Sequence, residues 1–249
     1  ESSTEGVRNI LSSVNKFNVK HYVHTSAVAA IITPTPNEGM EDSLKGHTYT
    51  EEDWSAVTAP ATIEEDPYLQ KYYMIAKTEA EKIMWSETSG KPYTVSAINP
   101  SMNFGPCLAK HHTKASPYIF RQALLGYKQM NPTYSMVDVR DVALAHVEAM
   151  IRPEANGKRF ILDNTDPTIP VNDIIQKSRE MFPRYSFADL LDDAPDPPKQ
   201  AGHITTAYDN TLSKTVLGLS YRQQERTIQD AVDSMVKGGF VPLRSSSKL

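Results

Sequence analysis

Tyr73 and Lys77 are the two side chains of this sequence whose types and spacing most directly suggest chemistry. They stand four residues apart in KYYMIAKTEAEK, residues 71–82, a stretch that predicts a helix, so both would lie on one helical face. A free phenol has a pKa of about 10 and is a weak acid–base group at neutral pH, whereas a nearby ammonium lowers that pKa by favouring the phenolate. The pair therefore predicts a proton donor with the cation that adjusts it, and the alternative is the edge of an ordinary amphipathic helix.

The pattern around this pair predicts where the helix begins, ends and is buried. Asp66-Pro67 is expected to begin it, and Gly90 follows its end near Thr88. Helical spacing predicts a buried stripe of Tyr72, Ala76, Ala80 and Ile83. Tyr73 and Lys77 would then lie at the edge of the buried face, where the wall of a cleft is expected.

Predicted strands on both sides of this helix place hydroxyl groups where α/β proteins bind ligands. VKHYVHTSAVAAII (19–32) predicts a strand running into a small-residue turn, YTVSAINP (93–100) a strand ending at a proline, and GKRFILDN (157–164) a further strand. Because strands alternate with helices, we expect an α/β fold with a mainly parallel sheet. The hydroxyls in HTSA would face the crevice at the carboxyl ends of the strands.

The composition of the 249 residues disfavours several classes of protein. A content of 39% hydrophobic and 22% charged residues is ordinary for a globular protein. A net charge of −4 without a basic stripe argues against nucleic-acid and membrane-surface partners, and no run approaches the roughly 18 apolar residues of a membrane helix. Cys107 is the only cysteine, so no disulfide framework is expected and a cytoplasmic setting is favoured.

No metal site is expected either. His111 and His112 are adjacent, without a third ligand at metal-binding spacing. Arg140-Asp141 is interpreted as a structural pair that determines the fold rather than as part of a catalytic site.

Segments along nearly the whole chain carry a family resemblance. They are GVRNIL, VKHYVHTSAVAAI, YTEEDW, YYMIAKTEAEK, INPSMNFGP, MVDVRDVALAHVEAM and SKTVLGLSYRQQERTIQDAVDSM. In this order they resemble the extended short-chain dehydrogenase/reductase family, in its dihydroflavonol reductase-like branch with the fungal ketone and aldehyde reductases. YxxxK alone is a weak signal, whereas the ordered set of segments is a strong one.

This resemblance implies a mechanism and a cofactor. Tyr73 would protonate the carbonyl oxygen while NADPH delivers hydride to the carbon, with NAD not excluded. Lys77 would hold the nicotinamide ribose and lower the pKa of Tyr73, and Ser26 would stabilise the developing charge. The residues implied for cofactor binding are Thr25, Lys77, Pro100, Met102 and Asn103. Those implied for the substrate pocket are Ala27, Met102, Phe104 and Tyr118.

Two features depart from the family pattern. Members of this branch usually read T-S-S at the first strand end, with the second serine catalytic, whereas this chain reads Thr25-Ser26-Ala27. Ser26 or Thr25 could substitute only if the turn shifts by one residue. In addition, no glycine-rich GxxGxxG loop precedes Glu1, so we expect roughly 80 to 90 residues to be absent. The elements that bind the adenosine diphosphate half of the cofactor would be absent with them.

The expected architecture is a Rossmann-type parallel sheet with flanking helices, lacking its N-terminal part, plus a small C-terminal substrate-binding lobe. The core would comprise residues 1–103 and 133–165, and the lobe residues 104–132 and 166–249. A monomer or homodimer acting on a small-molecule carbonyl compound is expected.

Three functions are compatible with these patterns. The first hypothesis is an NADP-dependent reductase of a ketone or aldehyde. The alternative is a truncated family member that no longer reduces, with no cofactor bound by the truncated chain, and that acts as a binding protein or in a cofactor-independent rearrangement or cyclisation. A sugar-nucleotide epimerase or dehydratase shares YxxxK and ranks lower, because the C-terminal half is more similar to the reductases.

Overall fold

The computed structural model describes most, but not all, of the chain. The described residues are 2–33, 47–60, 62, 70–114, 116–118, 121, 133–164, 169–170, 178, 180 and 207–241. The predicted helix start at Asp66-Pro67 lies outside them. Within these residues, no helix is both long and apolar enough to cross a membrane.

The described residues form five helices, of which the second is the one predicted around Tyr73 and Lys77. They are α1 (Ser2–Lys16), α2 (Gln70–Thr88), α3 (Val139–Ile151), α4 (Thr211–Thr215) and α5 (Gln224–Lys237). Single 3₁₀ turns occur at Val28–Ala30, Lys110–Thr113 and Pro153–Ala155. Gly90 follows α2 with a φ of 71°, a left-handed conformation that glycine adopts without the steric cost of a side chain.

The strands include the three that the sequence predicted and several short ones. They are β1 (His21–Thr25), β2 (Thr48–Tyr49), β3 (Thr94–Pro100), β4 (Met102–Phe104), β5 (Thr133–Tyr134), β6 (Met136–Asp138), β7 (Lys158–Leu162), β8 (Ile169–Pro170) and β9 (Ala207–Tyr208).

The main sheet has the order β1-β3-β7, and both of its strand pairs are parallel. Thr25 pairs with Ile98, and Pro100 pairs with Leu162, so the carboxyl ends of the three strands lie at one edge. The central strand β3 is buried from Val95 to Pro100, as expected for a parallel strand covered on both faces. This arrangement confirms the predicted Rossmann-type parallel sheet.

The chain divides into two compact units. Unit 1 comprises residues 1–101, 142–163 and 206–220, and unit 2 comprises residues 102–141, 164–205 and 221–249. Unit 1 holds the main sheet and a core in which α1 and α2 pack together through Val7, Leu11, Ala80 and Met84. Unit 2 has its own core around Phe104, Met136, Ile228 and Met235.

This division differs from the predicted domains in two longer segments and at two boundaries, where residues 102–103 and 164–165 also belong to unit 2. Residues 206–220 belong to unit 1 because β9 pairs with β2, although they were assigned to the lobe. Residues 133–141 belong to unit 2 because β6 pairs with β4, although they were assigned to the core. Pairing between strands far apart in sequence is not visible in a local pattern, which is why the sequence assigns both segments differently.

Candidate active site

Helix α2 carries three polar residues at successive turns, and their environments differ. Tyr73 is 53% exposed, Lys77 is half-buried and Glu81 is fully buried. Residues four apart lie one above the other on a helix, so this line of side chains passes from solvent into the protein interior. The sequence predicted the first two members of the line and missed the third.

The buried face of α2 is also not the predicted one. Of the four residues expected in the apolar stripe, Ala80 is buried, Ala76 and Ile83 are half-buried, and Tyr72 is 39% exposed. The side chains that do face the interior include Met74, Thr78, Ala80, Glu81 and Met84. Because Thr78 and Glu81 are polar, hydrophobic spacing alone placed the stripe too far towards Tyr72.

Lys77 reaches the carboxyl end of β1. Its Nζ donates a hydrogen bond of 3.4 Å to the carbonyl oxygen of Thr25. Burial lowers the pKa of Lys77, and the negative charge of Glu81 one turn further on opposes that shift. An ammonium group has three N–H donors, so this bond leaves others for a ligand at the strand end.

Tyr73 lies one turn before Lys77, at the more exposed end of the line. Burial raises the pKa of its phenol above the ordinary 10.0, because removal from water disfavours the phenolate. This direction is opposite to the lowering by Lys77 that the family resemblance implied. Since Tyr73 is 53% exposed, burial acts on only part of the ring.

Ser26 turns its hydroxyl into the interior. It is 2% exposed, and its Oγ donates to Glu81 Oε2 over 2.6 Å, while its backbone N–H donates to the carbonyl of Ile98 over 2.8 Å. Ala27, the next residue, is 8% exposed and packs with Ala29 and Met74. The Ser26 hydroxyl is thus engaged by a carboxylate, and its role towards a substrate carbonyl stays a prediction.

Thr25 contacts helix α3. Its Oγ1 lies 2.8 Å from His146 Nε2, and His146 Nδ1 lies 2.7 Å from the carbonyl oxygen of Val142. A carbonyl only accepts, so Nδ1 carries the proton of the neutral ring, and Nε2 accepts from the Thr25 hydroxyl. Successive strand residues point to opposite faces, which is why Thr25 and Ser26 have different partners.

Glu81 is the centre of a buried network. Its Oε2 accepts from Ser26 Oγ at 2.6 Å, from Asn99 Nδ2 at 2.8 Å and from Arg159 Nη2 at 3.3 Å. Its Oε1 accepts from Arg159 Nε at 2.7 Å and from Trp85 Nε1 at 3.2 Å. Complete burial acts to raise the pKa of Glu81. The hydrogen bonds and the charge of Arg159, together with the hydrogen bonds from Ser26 and Asn99, outweigh this effect and lower the pKa.

Arg159 extends this network to the segment YTEEDW. Its Nη1 donates to the carbonyl oxygens of Glu51 at 2.8 Å and Asp53 at 2.6 Å. Its guanidinium carbon lies 3.9 Å from the centre of the Trp54 ring, a cation–π distance. The segment YTEEDW is therefore linked to β7 and, through Glu81, to α2.

His24 is a buried histidine on the same strand face as Ser26. Its Nδ1 lies 3.1 Å from the Tyr22 hydroxyl, and its Nε2 finds no partner among the described residues. Burial lowers the pKa of His24 to about 4; Glu81 opposes this shift and Lys77 adds to it. The ring is therefore uncharged at neutral pH.

The end of β3 carries Pro100, which the family resemblance assigns to cofactor binding. Ser101 directly follows Pro100, and its N–H donates to the carbonyl of Leu162 over 2.9 Å. Ser101 is 5% exposed, and no described residue pairs with its Oγ. The strand end thus holds a buried hydroxyl with spare hydrogen-bonding capacity.

The remaining predicted site residues belong to unit 2. Met102 and Asn103 are half-buried in β4, where they pair with Met136 and Val137. Phe104 is 4% exposed in the unit 2 core, and Tyr118 is 49% exposed. Their roles in cofactor or substrate binding stay predictions.

The described residues contain no cluster of three or more His, Cys, Asp or Glu side chains that could hold a metal ion. The His111 and His112 rings lie edge to face with centres 4.3 Å apart, so they contact each other.

Comparisons with known proteins show the family to which this chain belongs. Residues 1–162 match the model of the NAD dependent epimerase/dehydratase family. Cinnamoyl-CoA reductase 1 of Oryza sativa subsp. japonica is 26% identical, over 97% of this chain and 66% of its own length. The ketoreductase azaE of Aspergillus niger is 29% identical, over 95% of this chain and 69% of its own length. This chain thus spans about two thirds of the length of these relatives.

A solved structure is similar as well. The yeast methylglyoxal/isovaleraldehyde reductase Gre2 complexed with NADPH superposes with a TM-score of 0.73 and 25% identity, covering 96% of this chain and 71% of that one. The chain therefore belongs to the NAD dependent epimerase/dehydratase family of the extended short-chain dehydrogenase/reductases, and it is similar to members of the carbonyl reductase branch that the sequence resembled.

Proposed function

We propose that this chain forms the catalytic part of an NADPH-dependent reductase that converts a ketone or aldehyde to an alcohol, with Tyr73 as the proton donor. The observation that carries the proposal is the 3.4 Å contact between Lys77 Nζ and the Thr25 carbonyl. It brings the Tyr73–Lys77 helix to the carboxyl end of β1, the edge at which parallel α/β sheets bind ligands. The similarity to a ketoreductase and to an NADPH-bound reductase supports the same activity.

The residues at this edge suit the nicotinamide half of the cofactor. Lys77 retains donors for ribose hydroxyls, and the Ser101 hydroxyl is buried without a partner among the described residues. A buried unpaired hydroxyl costs free energy, so the carboxamide of a nicotinamide would satisfy it. Thr25 and Pro100 of the same unit complete the set proposed to hold the cofactor, which supplies the hydride when bound.

Tyr73 and Lys77 have complementary tasks in this proposal. Because burial raises the pKa of Tyr73, the phenol is protonated at neutral pH, which is the form that a proton donor needs. Once the proton has moved to the carbonyl oxygen, the positive charge of Lys77 stabilises the phenolate left behind. Because the Ser26 hydroxyl donates to Glu81, Tyr73 is the side chain that stabilises the charge developing on the substrate carbonyl oxygen.

The experiment is an NADPH oxidation assay against a panel of aldehydes and ketones. The chain is compared with Tyr73→Phe, which removes the hydroxyl alone, and with Tyr72→Phe, the same change at the neighbouring tyrosine. We expect kcat to fall by about a hundredfold or more in Tyr73→Phe, the scale of general acid catalysis, and to change little in Tyr72→Phe. A parent that oxidises no NADPH with any carbonyl compound would overturn the proposal, as would unchanged turnover in Tyr73→Phe.

The engagement of Ser26 by Glu81, together with Ala27 at the next position, favours one second candidate. In it, the protein binds a small molecule or acts without the cofactor, and no reduction takes place. Calorimetry with NADPH on the 249 residues separates the two, because micromolar binding would rule the second candidate out.

A further inference from the structure

Three consecutive residues at the end of β1 are each held by a separate hydrogen bond. The Thr25 carbonyl accepts from Lys77 at 3.4 Å, the Ser26 hydroxyl donates to Glu81 at 2.6 Å, and the Ala27 carbonyl accepts from Asn99 at 3.3 Å. Asn99 Nδ2 also donates to Glu81 at 2.8 Å. Hydrogen bonds therefore link the Thr25–Ala27 turn to two successive turns of α2. Two of the three hydrogen-bonded links depend on the Glu81 carboxylate, one directly and one through Asn99.

The Glu81 carboxylate also contacts a residue in, or directly after, each of the three strands of the main sheet. Ser26 follows β1, Asn99 lies in β3 and Arg159 lies in β7, and all three donate to Glu81. A single side chain thus links α2 to all three strands or their ends.

We propose that Glu81 is a positioning residue for the reaction, which fixes the Thr25–Ala27 turn against the Lys77 turn of α2 and so places the Lys77 ammonium at the strand end. The inference rests on the proposed reductase function, because it assigns Lys77 to that reaction. Glu81 touches neither the cofactor nor the substrate in this scheme and acts through Lys77 and the turn.

The charges around Lys77 give this proposal a readout besides activity. Glu81 faces Lys77 from its own helix, and His24 faces it from β1, whereas Arg159 from β7 pairs with Glu81. His24 is uncharged at neutral pH, so Glu81 is the charge that favours the ammonium. Loss of the carboxylate is therefore expected to make Lys77 titrate at a lower pH.

The experiment compares four proteins: the parent, Glu81→Gln, the double variant Glu81→Leu with Arg159→Met, and Glu79→Gln. The double variant replaces a buried ion pair with apolar side chains, a change that often preserves stability, and it leaves Ser26 and Asn99 without their acceptor. Glu79 lies on the same helix with its side chain 52% exposed, paired with Lys82 at 3.7 Å, so its change to Gln is the matched control. Three quantities are measured for each protein: the melting temperature, kcat and the NMR titration of 13C-labelled Lys77. The Lys77 signal is assigned from its absence in Lys77→Arg.

We expect both Glu81 variants to lose kcat by about tenfold to a hundredfold, the scale of a small misplacement in an active site, and to titrate Lys77 at a lower pH. Glu79→Gln should match the parent in all three measurements. If the folded double variant recovers the parental kcat and the parental Lys77 titration, Glu81 is only a structural residue and the inference is wrong.

The outcome stays distinct from that of the proposed function. If the parent reduces nothing, the reductase proposal fails, while the Lys77 titration still reports whether Glu81 acts on Lys77. An unshifted titration in both Glu81 variants overturns the inference even if the parent is an active reductase.

Discussion

At the scale of single residues, Ala27 is the position where this chain departs most clearly from the reductases that it resembles. It follows Ser26, whose hydroxyl is held by Glu81, and it is packed against Met74. A serine at this position would add a hydroxyl at the strand end without disturbing the Ser26 contact, and a donor aimed at a developing oxyanion accelerates such reactions.

We therefore expect Ala27→Ser to raise kcat by about tenfold for the best carbonyl substrate, with KM changing less. Steady-state kinetics checks this, with Ala29→Ser as the control, since Ala29 belongs to the same small buried cluster. Equal kinetics for parent and Ala27→Ser would show that the site does not use a hydroxyl at this position.

His24 predicts a pH dependence of stability. The pKa of His24 is about 4 in the folded chain against an ordinary value of 6.5, so the unfolded chain binds this proton more readily. Above about pH 6.5 both states are neutral; as the pH falls towards 4, roughly 3 kcal/mol of the free energy of unfolding is lost through this residue.

Denaturant unfolding of the parent and of His24→Gln at pH 7 and at pH 5 measures this loss of the free energy of unfolding. Glutamine keeps a partner for Tyr22 but does not titrate, so the variant should lose less stability on acidification than the parent. His111→Gln, a change at an exposed histidine, serves as the control. Parallel losses in the parent and His24→Gln would contradict the assignment.

Residue spacing predicted Tyr73 and Lys77 but not Glu81, and the reason is physical. Pairs of chemical groups on one helical face are visible as intervals in a sequence. The burial of a carboxylate depends on donors from Ser26, Asn99 and Arg159, which converge only through the sheet. The one local signal was a third polar residue at the next four-residue interval after Lys77.

At the scale of secondary-structure elements, Asp138 connects the end of β6 to helix α5 within unit 2. It is 2% exposed and accepts from the Arg140 backbone N–H at 2.8 Å, from Arg140 Nη2 at 2.7 Å and from the Thr227 hydroxyl at 2.8 Å. Arg140 also reaches Asp230 at 2.7 Å, and Arg222 pairs with Asp141. These contacts agree with a structural role for Arg140-Asp141.

Asp138→Asn is expected to lower the free energy of unfolding by about 2 kcal/mol. An amide cannot accept from all of these donors, and the loss is smaller than for a fully buried ion pair because the Arg140 side chain is 33% exposed. Asp233→Asn is the control, since it pairs within one helix with Lys237, whose side chain is 70% exposed, and such a pair is worth about 0.5 kcal/mol. Urea midpoints measure both, and equal shifts would contradict the role of Asp138.

Helix and strand positions were the most predictable elements. The buried face of α1 shows the reason: Val7, Ile10, Leu11 and Val14 recur at helical spacing, and all of them except Ile10, which is 51% exposed, lie in the core. The two-residue strands β2 and β9 were not predictable, because their pairing joins segments more than 150 residues apart and so short a strand has no period of its own.

At the scale of the whole molecule, the family resemblance gave the fold more reliably than the division into units. The parallel order β1-β3-β7 follows from alternating strands and helices. Residues 206–220 and 133–141 changed units because contacts distant in sequence decide the division. The substrate is the least predictable feature, since Met102, Phe104 and Tyr118 are assigned to its pocket by resemblance alone.

The central claim is that Tyr73 donates the proton when hydride passes from NADPH to a carbonyl carbon. The most direct measurement is a single turnover with NADPH deuterated at the transferred position, followed by mass spectrometry of the alcohol from parent and Tyr73→Phe. We predict one deuterium in the parental product and a rate about a hundredfold or more lower in Tyr73→Phe. An unlabelled product, no alcohol from the parent, or equal rates in the two proteins would contradict the claim.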